Sequence, residues 1–485
     1  MSVQTNPNHD YISPEPQATP FERQWHKLWQ DIEQAGGRYH YVQQQLVAQG
    51  FMVERQLTDN MSPKERERYK KLLKLEAAEE KNLKKAAWQA YKAHHMVYLG
   101  RHVYWSDDTS ADKWDVKDAH NRLLENKLPL LTKHSQLAAT LNLSVPQLKG
   151  LCYQTEVATN LAYTHFTIHK RNGSARQIWA PVARLKFVQR WILHEILNNL
   201  TIHGAAHGFV RGKSIVTNAA VHSHSEILIK LDIKDFFPSV NWRRIKGVFR
   251  HAGYHEHIAT LLALLCSESP RQIVEQNGAT YYVALGDRAL PQGAPTSPAL
   301  TNIICVNLDR RLTGLADKLG LRYSRYADDL TFSLPVNNAA QEPKASKKSK
   351  AVKTVKNTAK DEKNSQHNQM IVQLLGSVNK ILCEEGFTLN NDKTKVIRTG
   401  NQQSVTGMVV NGEHAPRVPR QIKRRLRAAI HNLEKGGALR ADESYSTLSG
   451  YASWIASAEP ELGYEYLERI ERLRRFSADK VITHT

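Results

Sequence analysis

The sequence predicts an α+β protein in which helical regions flank a central region of short β-strands. Helical patterns with start signals run to about residue 155 and return after about residue 370. Short β runs begin near Tyr163, and two strongly apolar strands, Ile227–Asp232 and Tyr323–Leu334, carry acidic residues. Because 485 residues exceed one typical domain, we expect two to four packed units.

The N-terminal part predicts a disordered lead and then a helical extension over 21–155. Residues 1–20 are rich in Pro, Asn and Gln, a composition that cannot bury enough apolar surface to pack. Ser62-Pro63 is a good helix start, with a capping Ser and Pro at the first helical position. The stretch Arg66–His94 fits a solvated amphipathic helix and a basic RNA-binding face equally well. Two more helices are expected at Lys133–Leu141 and Ser144–Tyr153.

A β-hairpin is predicted immediately after this extension. Phe166–Ile168 and Arg176–Ile178 have β-strand character, and the turn Lys170–Gly173 between them contains Asn-Gly, which reaches positive φ at little cost.

One low-complexity segment interrupts the second half of the chain. Residues 337–368 contain eight Lys with Ala, Ser, Thr and Asn but few large apolar residues, so we expect a disordered loop. Helical patterns follow at Ile371–Glu385, Pro419–Lys435 and Leu448–Phe476.

The charge balance indicates a polyanionic partner. There are 67 Lys and Arg against 47 Asp and Glu, a formal net charge of +20. Lys and Arg gain affinity for phosphates by releasing counterions, so nucleic acid is the favoured partner over a merely soluble surface. Four widely spaced cysteines disfavour a disulfide scaffold or thiolate zinc site and suggest buried, reduced thiols. Without a signal peptide or an apolar run of about 20 residues, a cytoplasmic protein with no membrane contact is expected.

Three aspartates carry the predicted chemistry. Asp328 and Asp329 are adjacent at the tip of an apolar hairpin, where each raises the pKa of the other. A divalent cation removes that cost, and magnesium prefers such oxygen ligands. Asp232 ends a second apolar strand, and phosphoryl transfer with two ions needs carboxylates from at least two elements. We therefore expect all three to bind metal and to be catalytic, with Asp235 a weaker candidate.

Five ordered blocks along residues 163–410 resemble those of reverse transcriptases. They are the fingers hairpin with Ile168, Lys170, Gly173 and Arg176, the strand ending at Asp232, Leu290–Pro298, Tyr326–Asp329, and Gly386–Asn390 with Lys393-Thr394. The resemblance implies a right-hand polymerase fold with an α-helical N-terminal extension. Its parts would be fingers at 156–225, a palm at 226–410 containing the Lys-rich insert, and a helical thumb at 411–485.

The same resemblance assigns nucleotide-binding roles. Lys170 and Arg176 would hold the triphosphate of a dNTP, and Gln292 would lie under the nucleotide and template. Phe237 would be the steric gate that excludes a ribose 2′-hydroxyl. Lys393 would protonate departing pyrophosphate. Two Mg²⁺ ions are implied as cofactors, with Mn²⁺ as a possible substitute.

Two further blocks resemble those of bacterial retron reverse transcriptases, and the layout is most similar to the long myxobacterial enzymes. These blocks are Asn218–His222 and Val405–Gly407, and the resemblance makes Asn218, His222, Val405, Thr406 and Gly407 contacts to RNA or primer. It implies that the enzyme copies a structured noncoding RNA into single-stranded DNA (msDNA) from a guanosine 2′-hydroxyl. It also implies anti-phage defence, an accessory effector protein and template removal by host RNase H.

The first helix of the expected thumb has a basic face beside an apolar one, which favours a duplex-gripping surface over a merely solvated helix. Its expected nucleic-acid contacts are Arg420, Lys423, Arg424 and Arg427. Two alternatives stay open: a reverse transcriptase of another lineage, such as an intron or diversity-generating type, and a noncatalytic RNA-binding scaffold of polymerase fold.

Overall fold

The chain divides into two compact units, one up to His95 and one from Met96 onwards. The computed structural model describes residues 20–96, 98–100, 103, 118–153, 155–169, 173, 175–336, 350–411 and 414–482. The expected disordered lead therefore lies outside the described residues, apart from Pro20. No described helix is long and apolar enough to cross a membrane.

The first unit contains three helices, α1 (Pro20–Gln34), α2 (Arg38–Ala48) and α3 (Pro63–His94). The start of α3 is the predicted one. Ser62 Oγ accepts from the Glu65 backbone N–H at 3.4 Å, while the Glu65 carboxylate accepts from Ser62 N–H at 2.9 Å. The extension expected over 21–155 does not form one unit, since the chain from Met96 belongs to the second.

The second unit begins with α4 (Ala119–Glu125), α5 (His134–Thr140) and α6 (Val145–Cys152). The last two confirm the predicted helical pair, and Ser144 caps α6 as expected. Leu137 and Leu148 are fully buried in the main hydrophobic core. The helices of residues 119–152 therefore pack on this core. Helices this short are stable only when their apolar faces are covered in this way.

The expected fingers hairpin is present. Strands β2 (Tyr163–His169) and β3 (Ala175–Pro181) pair from Tyr163 opposite Pro181 to His169 opposite Ala175. Helix α7 (Ala183–Glu195) and helix α8 (Ile215–Ala220) follow. A separate three-stranded sheet joins β1 (Val157–Ala158), β6 (Ala279–Ala284) and β5 (Arg271–Gln276), in that order.

The central sheet has four antiparallel strands in the order β7-β8-β4-β9. They are β4 (Ser225–Asp232), β7 (Arg322–Tyr326), β8 (Asp329–Pro335) and β9 (Lys395–Arg398). Strand β4 lies between β8 and β9, and its apolar residues from Ile227 to Leu231 are buried, which explains its continuous apolar run. Helices α9 (Trp242–His251), α10 (Glu256–Leu265), α11 (Ser297–Ile304) and α12 (Val306–Lys318) lie between β4 and β7 in the chain.

The Lys-rich segment differs from the expectation of disorder. Helix α13 spans Lys350–Glu384, so the second half of 337–368 is helical, while residues 337–349 lie outside the described ones. Lys and Ala are good helix formers, and the helix continues into a buried face formed by Leu374, Val378 and Leu382. An anchored helix can therefore extend into sequence that could not pack alone.

The C-terminal helices are α14 (Arg420–Glu434), α15 (Tyr445–Ala456) and α16 (Pro460–Ile482). They form a second core with the hairpin β10 (Ser404–Val405) and β11 (Met408–Val409). The helical pattern expected over Leu448–Phe476 corresponds to two helices, because Pro460 begins a new one. Cys152, Cys266 and Cys305 are free and buried as expected, whereas Cys383 is exposed.

Candidate active site

The central sheet brings the three predicted aspartates to one end. Asp232 is the last residue of β4 and pairs with Asp329, the first residue of β8. Ala327 and Asp328 form the tight turn between β7 and β8, with Ala327 at φ 55°. The Asp328 carbonyl accepts the Ile233 N–H at 3.0 Å, which ties the turn to the end of β4.

The loop that contains Gly208 packs directly against this turn. A Cβ on Gly208 would lie 2.7 Å from the Ala327 nitrogen, so only glycine allows this approach. The Asn302 side-chain amide donates to Gly208 O at 2.9 Å and anchors the loop. The left-handed backbone of Ala327 is therefore imposed by its surroundings.

A buried ion pair also holds the turn. Arg325 is fully buried, and its Nε and Nη2 donate to the two oxygens of Asp309 at 2.8 and 2.7 Å. Its Nη1 donates to Asn302 Oδ1 at 3.0 Å and to the Ala327 carbonyl at 3.2 Å, and Tyr323 OH donates to Asp309 at 2.9 Å. Sequence reasoning missed Arg325, Asp309 and Asn302. A charged residue inside an apolar strand was the available signal, since it needs a partner when buried.

Electrostatics at the carboxylates favour a bound cation. Burial and then the negative charge of Asp328 raise the pKa of Asp329 to about 6, and burial also raises the pKa of Asp328. Lys393 Nζ donates to both oxygens of Asp232 at 2.9 and 2.8 Å, and this hydrogen bonding raises the pKa of Lys393. Asn390 Nδ2 donates to the same carboxylate at 2.9 Å.

The donor set suits magnesium, which takes oxygen ligands. Asp232, Asp328 and Asp329 are the residues that would hold it. Burial first, and then the neighbouring negative charge, raise the pKa values of the last two, and a bound cation would offset both effects. Across the described ranges, no three His, Cys, Asp or Glu side chains form a ready-made metal cluster. Instead, the ammonium group of Lys393 is the cation that contacts Asp232. A metal ion at Asp232 would therefore share this carboxylate with Lys393 or displace it.

The predicted nucleotide-binding residues come from several separate segments of the second unit. The Trp179 N–H donates to Gln292 O at 2.8 Å, and a Cβ on Gly293 would lie 2.8 Å from Trp179 O, so the Gln-Gly block is packed against β3.

The other predicted nucleotide-binding residues lie elsewhere. Arg176 lies on β3, and its positive charge partly offsets the rise in the pKa of Asp328. Phe237 is half-buried beside Phe236. Lys170 lies outside the described residues.

Asp235, the weaker candidate, is not on a strand. It follows β4 in a turn at φ 46° and is exposed, and its carbonyl accepts the Ser239 N–H at 2.8 Å.

The first of the two additional blocks is internal, which corrects the expectation of RNA contact. Asn218 and His222 are 1% and 0% exposed. His222 bridges β7 and β8, with Nε2 2.7 Å from Ser324 Oγ and Nδ1 2.8 Å from Ser333 Oγ, and Ser324 Oγ donates to Asn218 Oδ1 at 2.7 Å. These buried side chains hydrogen-bond to one another and thereby connect α8 and the residues after it to the hairpin that carries Asp328 and Asp329.

The second block forms the turn between β10 and β11. Val405 is fully buried in the second core, whereas Gly407 is exposed. Thr406 and Gly407 have φ values of 47° and 84°, a strained arrangement for the β-branched Thr. Thr406 Oγ1 donates to Ile215 O at 2.9 Å, so the turn is hydrogen-bonded to α8, the helix that carries Asn218.

The predicted thumb cations divide into two groups. Arg420, Arg424 and Arg427 are exposed on α14, although Arg427 Nε also donates to Tyr466 OH at 3.3 Å. Lys423 is part-buried and makes two 2.9 Å bonds to Glu459. Its charge is already paired within the thumb, so Lys423 is not the free nucleic-acid contact that was expected.

A four-stranded sheet with three carboxylates at one end, preceded in the chain by a β-hairpin and followed by basic helices, is the arrangement of a nucleic acid polymerase. Residues 168–411 match the family model described as reverse transcriptase (RNA-dependent DNA polymerase). This chain is 44% identical over 91% of its length to the retron Mx162 reverse transcriptase of Myxococcus xanthus, covering 88% of that relative. It is 36% identical to the Mx65 retron enzyme of the same organism, over 74% of this chain and 75% of that one.

A retron reverse transcriptase from Escherichia coli, Ec86, is 29% identical over 73% of this chain and 93% of its own length. The chain belongs to the retron reverse transcriptases and is an RNA-directed DNA polymerase with their mixed helix and sheet fold.

Proposed function

We propose that this enzyme copies part of a dedicated structured noncoding RNA into msDNA, primed from a guanosine 2′-hydroxyl of that RNA. Membership of the retron enzymes supports this reaction. The net charge of +20 and the exposed cations of α14 fit an RNA partner held through its phosphates. The proposal includes a role in anti-phage defence with an accessory effector, removal of template by host RNase H, and a cytoplasmic location.

In the proposed mechanism, Asp232, Asp328 and Asp329 would hold two Mg²⁺ ions, or Mn²⁺ in their place. Such ions would lower the pKa of the attacking hydroxyl and neutralise charge on the phosphate being transferred. The hydroxyl of the growing strand attacks the α-phosphorus of the dNTP and loses its proton to solvent, so that a new P–O bond forms. The P–O bond to pyrophosphate breaks, and Lys393 gives its proton to the departing pyrophosphate oxygen.

Four further residues select and orient the incoming nucleotide. Lys170 and Arg176 bind its triphosphate as paired cations. Gln292 supports the nucleotide and template from the block fixed against Trp179. The Phe237 ring fills the space that a ribose 2′-hydroxyl needs, which favours dNTPs.

Template RNA is held by exposed groups of the thumb and of the β10–β11 turn. Arg420, Arg424 and Arg427 contact phosphates, and Thr406 and Gly407 contact the RNA near its priming site. Asn218 and His222 act indirectly by fixing the catalytic hairpin.

The observation that carries the proposal is the convergence of three acids, two with raised pKa values, at the end of one sheet. The double substitution Asp328→Asn with Asp329→Asn should abolish DNA synthesis while RNA binding survives, because the amides retain shape but lose the charge that holds metal. Primer extension with dNTPs measures the first effect and RNA binding the second. Extension by the double variant would refute the catalytic assignment.

The specific product gives a second test. Nucleic acid extracted from cells expressing the native locus should contain a short DNA joined to RNA by a 2′,5′ linkage. Only linear cDNA in that extract would refute priming from a guanosine 2′-hydroxyl.

A further inference from the structure

The thumb has a cleft beside the Thr406-Gly407 turn that is lined by none of the three catalytic aspartates. Its volume is about 690 Å³, within the roughly 300–1,000 Å³ of small-ligand pockets. The lining combines two aromatic rings, two amides and one guanidinium. These residues are Tyr451, Trp454, Gln402, Gln421 and Arg425.

The aromatic wall of this cleft depends on the strained turn. Gly407 lies so close to Trp454 that a Cβ would be 3.2 Å from its Cζ2 atom, and the backbone φ of 84° also favours glycine. The indole Nε1 of Trp454 is shielded from solvent and has no hydrogen-bond partner among the described residues. Strain and an unpaired donor both cost free energy, and such costs concentrate at binding sites.

The polar groups are arranged for a ligand with hydrogen-bonding edges. The side-chain amides of Gln402 and Gln421 are exposed and make no hydrogen bond within the described part of the chain. Arg425 is held in one orientation by Asp442 and Glu443, at 2.6 and 3.2 Å. An amide offers a donor and an acceptor side by side, which matches the edge of a nucleobase.

We propose that this cleft binds a single unstacked base of the noncoding RNA. Aromatic rings stack on a base face, the free amides read its edge, and Arg420 and Arg424 on the same helix as Arg425 neutralise the flanking phosphates. The proposal rests on the proposed function and deepens it, because it places recognition of one RNA nucleotide outside the catalytic centre. A protein side chain from the effector is the competing occupant.

The test uses the full chain carrying Asp328→Asn and Asp329→Asn, so that binding is measured without synthesis. Affinity is measured for the enzyme's own noncoding RNA and for an unrelated hairpin RNA of equal length, at one salt concentration. Tyr451→Ala and Gln421→Ala should each weaken binding of the own RNA by about tenfold, the scale of one stacked or edge-read base. Binding of the unrelated hairpin should change less than twofold.

Tyr464→Ala is the matched control, since Tyr464 is an exposed thumb tyrosine outside the cleft (61% exposed). It should leave both affinities unchanged. Because Gln421 is exposed on α14, its truncation leaves the thumb core intact, and thermal unfolding checks this. Chemical probing of the RNA should find one base protected by the parent enzyme and reactive with Gln421→Ala.

The outcomes separate the two proposals. If the parent enzyme does not prefer its own RNA, both the proposed function and the cleft assignment fail. If it prefers its RNA but the cleft variants bind equally well, only the cleft assignment fails. If the cleft variants bind RNA normally but lose the effector protein, the occupant is protein and the base proposal is overturned.

Discussion

Substitutions in the buried Arg325–Asp309 pair should distinguish the contribution of this pair to stability from its contribution to catalysis. Arg325→Met leaves Asp309 charged and fully buried, so the free energy of unfolding should fall by about 3–5 kcal/mol. Adding Asp309→Leu removes the stranded charge and should recover most of that loss, because an apolar pair of similar volume is often as stable as a buried ion pair. Urea unfolding of both variants measures this.

Activity should not recover with stability. Both variants lack the Nη1 donor to the Ala327 carbonyl, a charge-assisted hydrogen bond worth about 1.5–3 kcal/mol. If the turn that carries Asp328 loses that support in the transition state, kcat for primer extension should fall by about ten- to a hundredfold. The doubly substituted enzyme should thus be folded but slow.

A second buried ion pair provides the control. Arg271, the first residue of β5, has its Nε 2.9 Å from Glu268 Oε1, and the two side chains are 2% and 9% exposed. Arg271→Met should destabilise the enzyme in the same way while kcat stays near the parent value. The reasoning is refuted if the Arg325→Met, Asp309→Leu enzyme polymerises at the parent rate, since the pair would then serve folding alone.

Three further predictions concern the gate, the interior histidine and the thumb. Phe237→Ala should raise incorporation of rNTPs relative to dNTPs in primer extension; an unchanged ratio removes Phe237 from the gate. Burial and the charge of Arg322 lower the pKa of His222 to about 3, against about 6.5 when unfolded, so the unfolded chain gains a proton first as pH falls. Stability should therefore be full above pH 6.5 and decrease by up to about 1.4 kcal/mol per pH unit between 6.5 and 3, and His222→Gln should remove this contribution from denaturation curves. Arg424→Ala should reduce the salt dependence of duplex binding, whereas Lys423→Met should not, because Lys423 is paired with Glu459; equal effects on the two slopes would contradict this division.

Features carried by adjacent residues could be predicted from the sequence. The hairpin at 163–181, the capped start of α3 and the strand ending at Asp232 each have their signal within a few residues. The likeness of Asp328 and Asp329 to a polymerase turn also depends on local sequence.

Features that depend on distant partners could not. Asp309 is recognisable as the partner of Arg325 only after α12 packs on β7, and His222 is paired with Ser333, 111 positions away. The same limit explains the wrong assignment of Asn218 to an RNA surface, since polarity alone does not distinguish an exposed amide from one satisfied inside. The helix over the Lys-rich segment was missed because its support comes from residues after 370.

The interior position of Asn218, His222 and Val405 bears on how such an enzyme can change partners during evolution. Residues that hold a catalytic hairpin in place are constrained by packing, whichever RNA is copied. Drift toward a new RNA would thus accumulate at solvent-facing positions such as Gln402 and Gln421, where a substitution alters recognition without a folding penalty. The buried residues of the two blocks would then be retained while the exposed residues that contact RNA change.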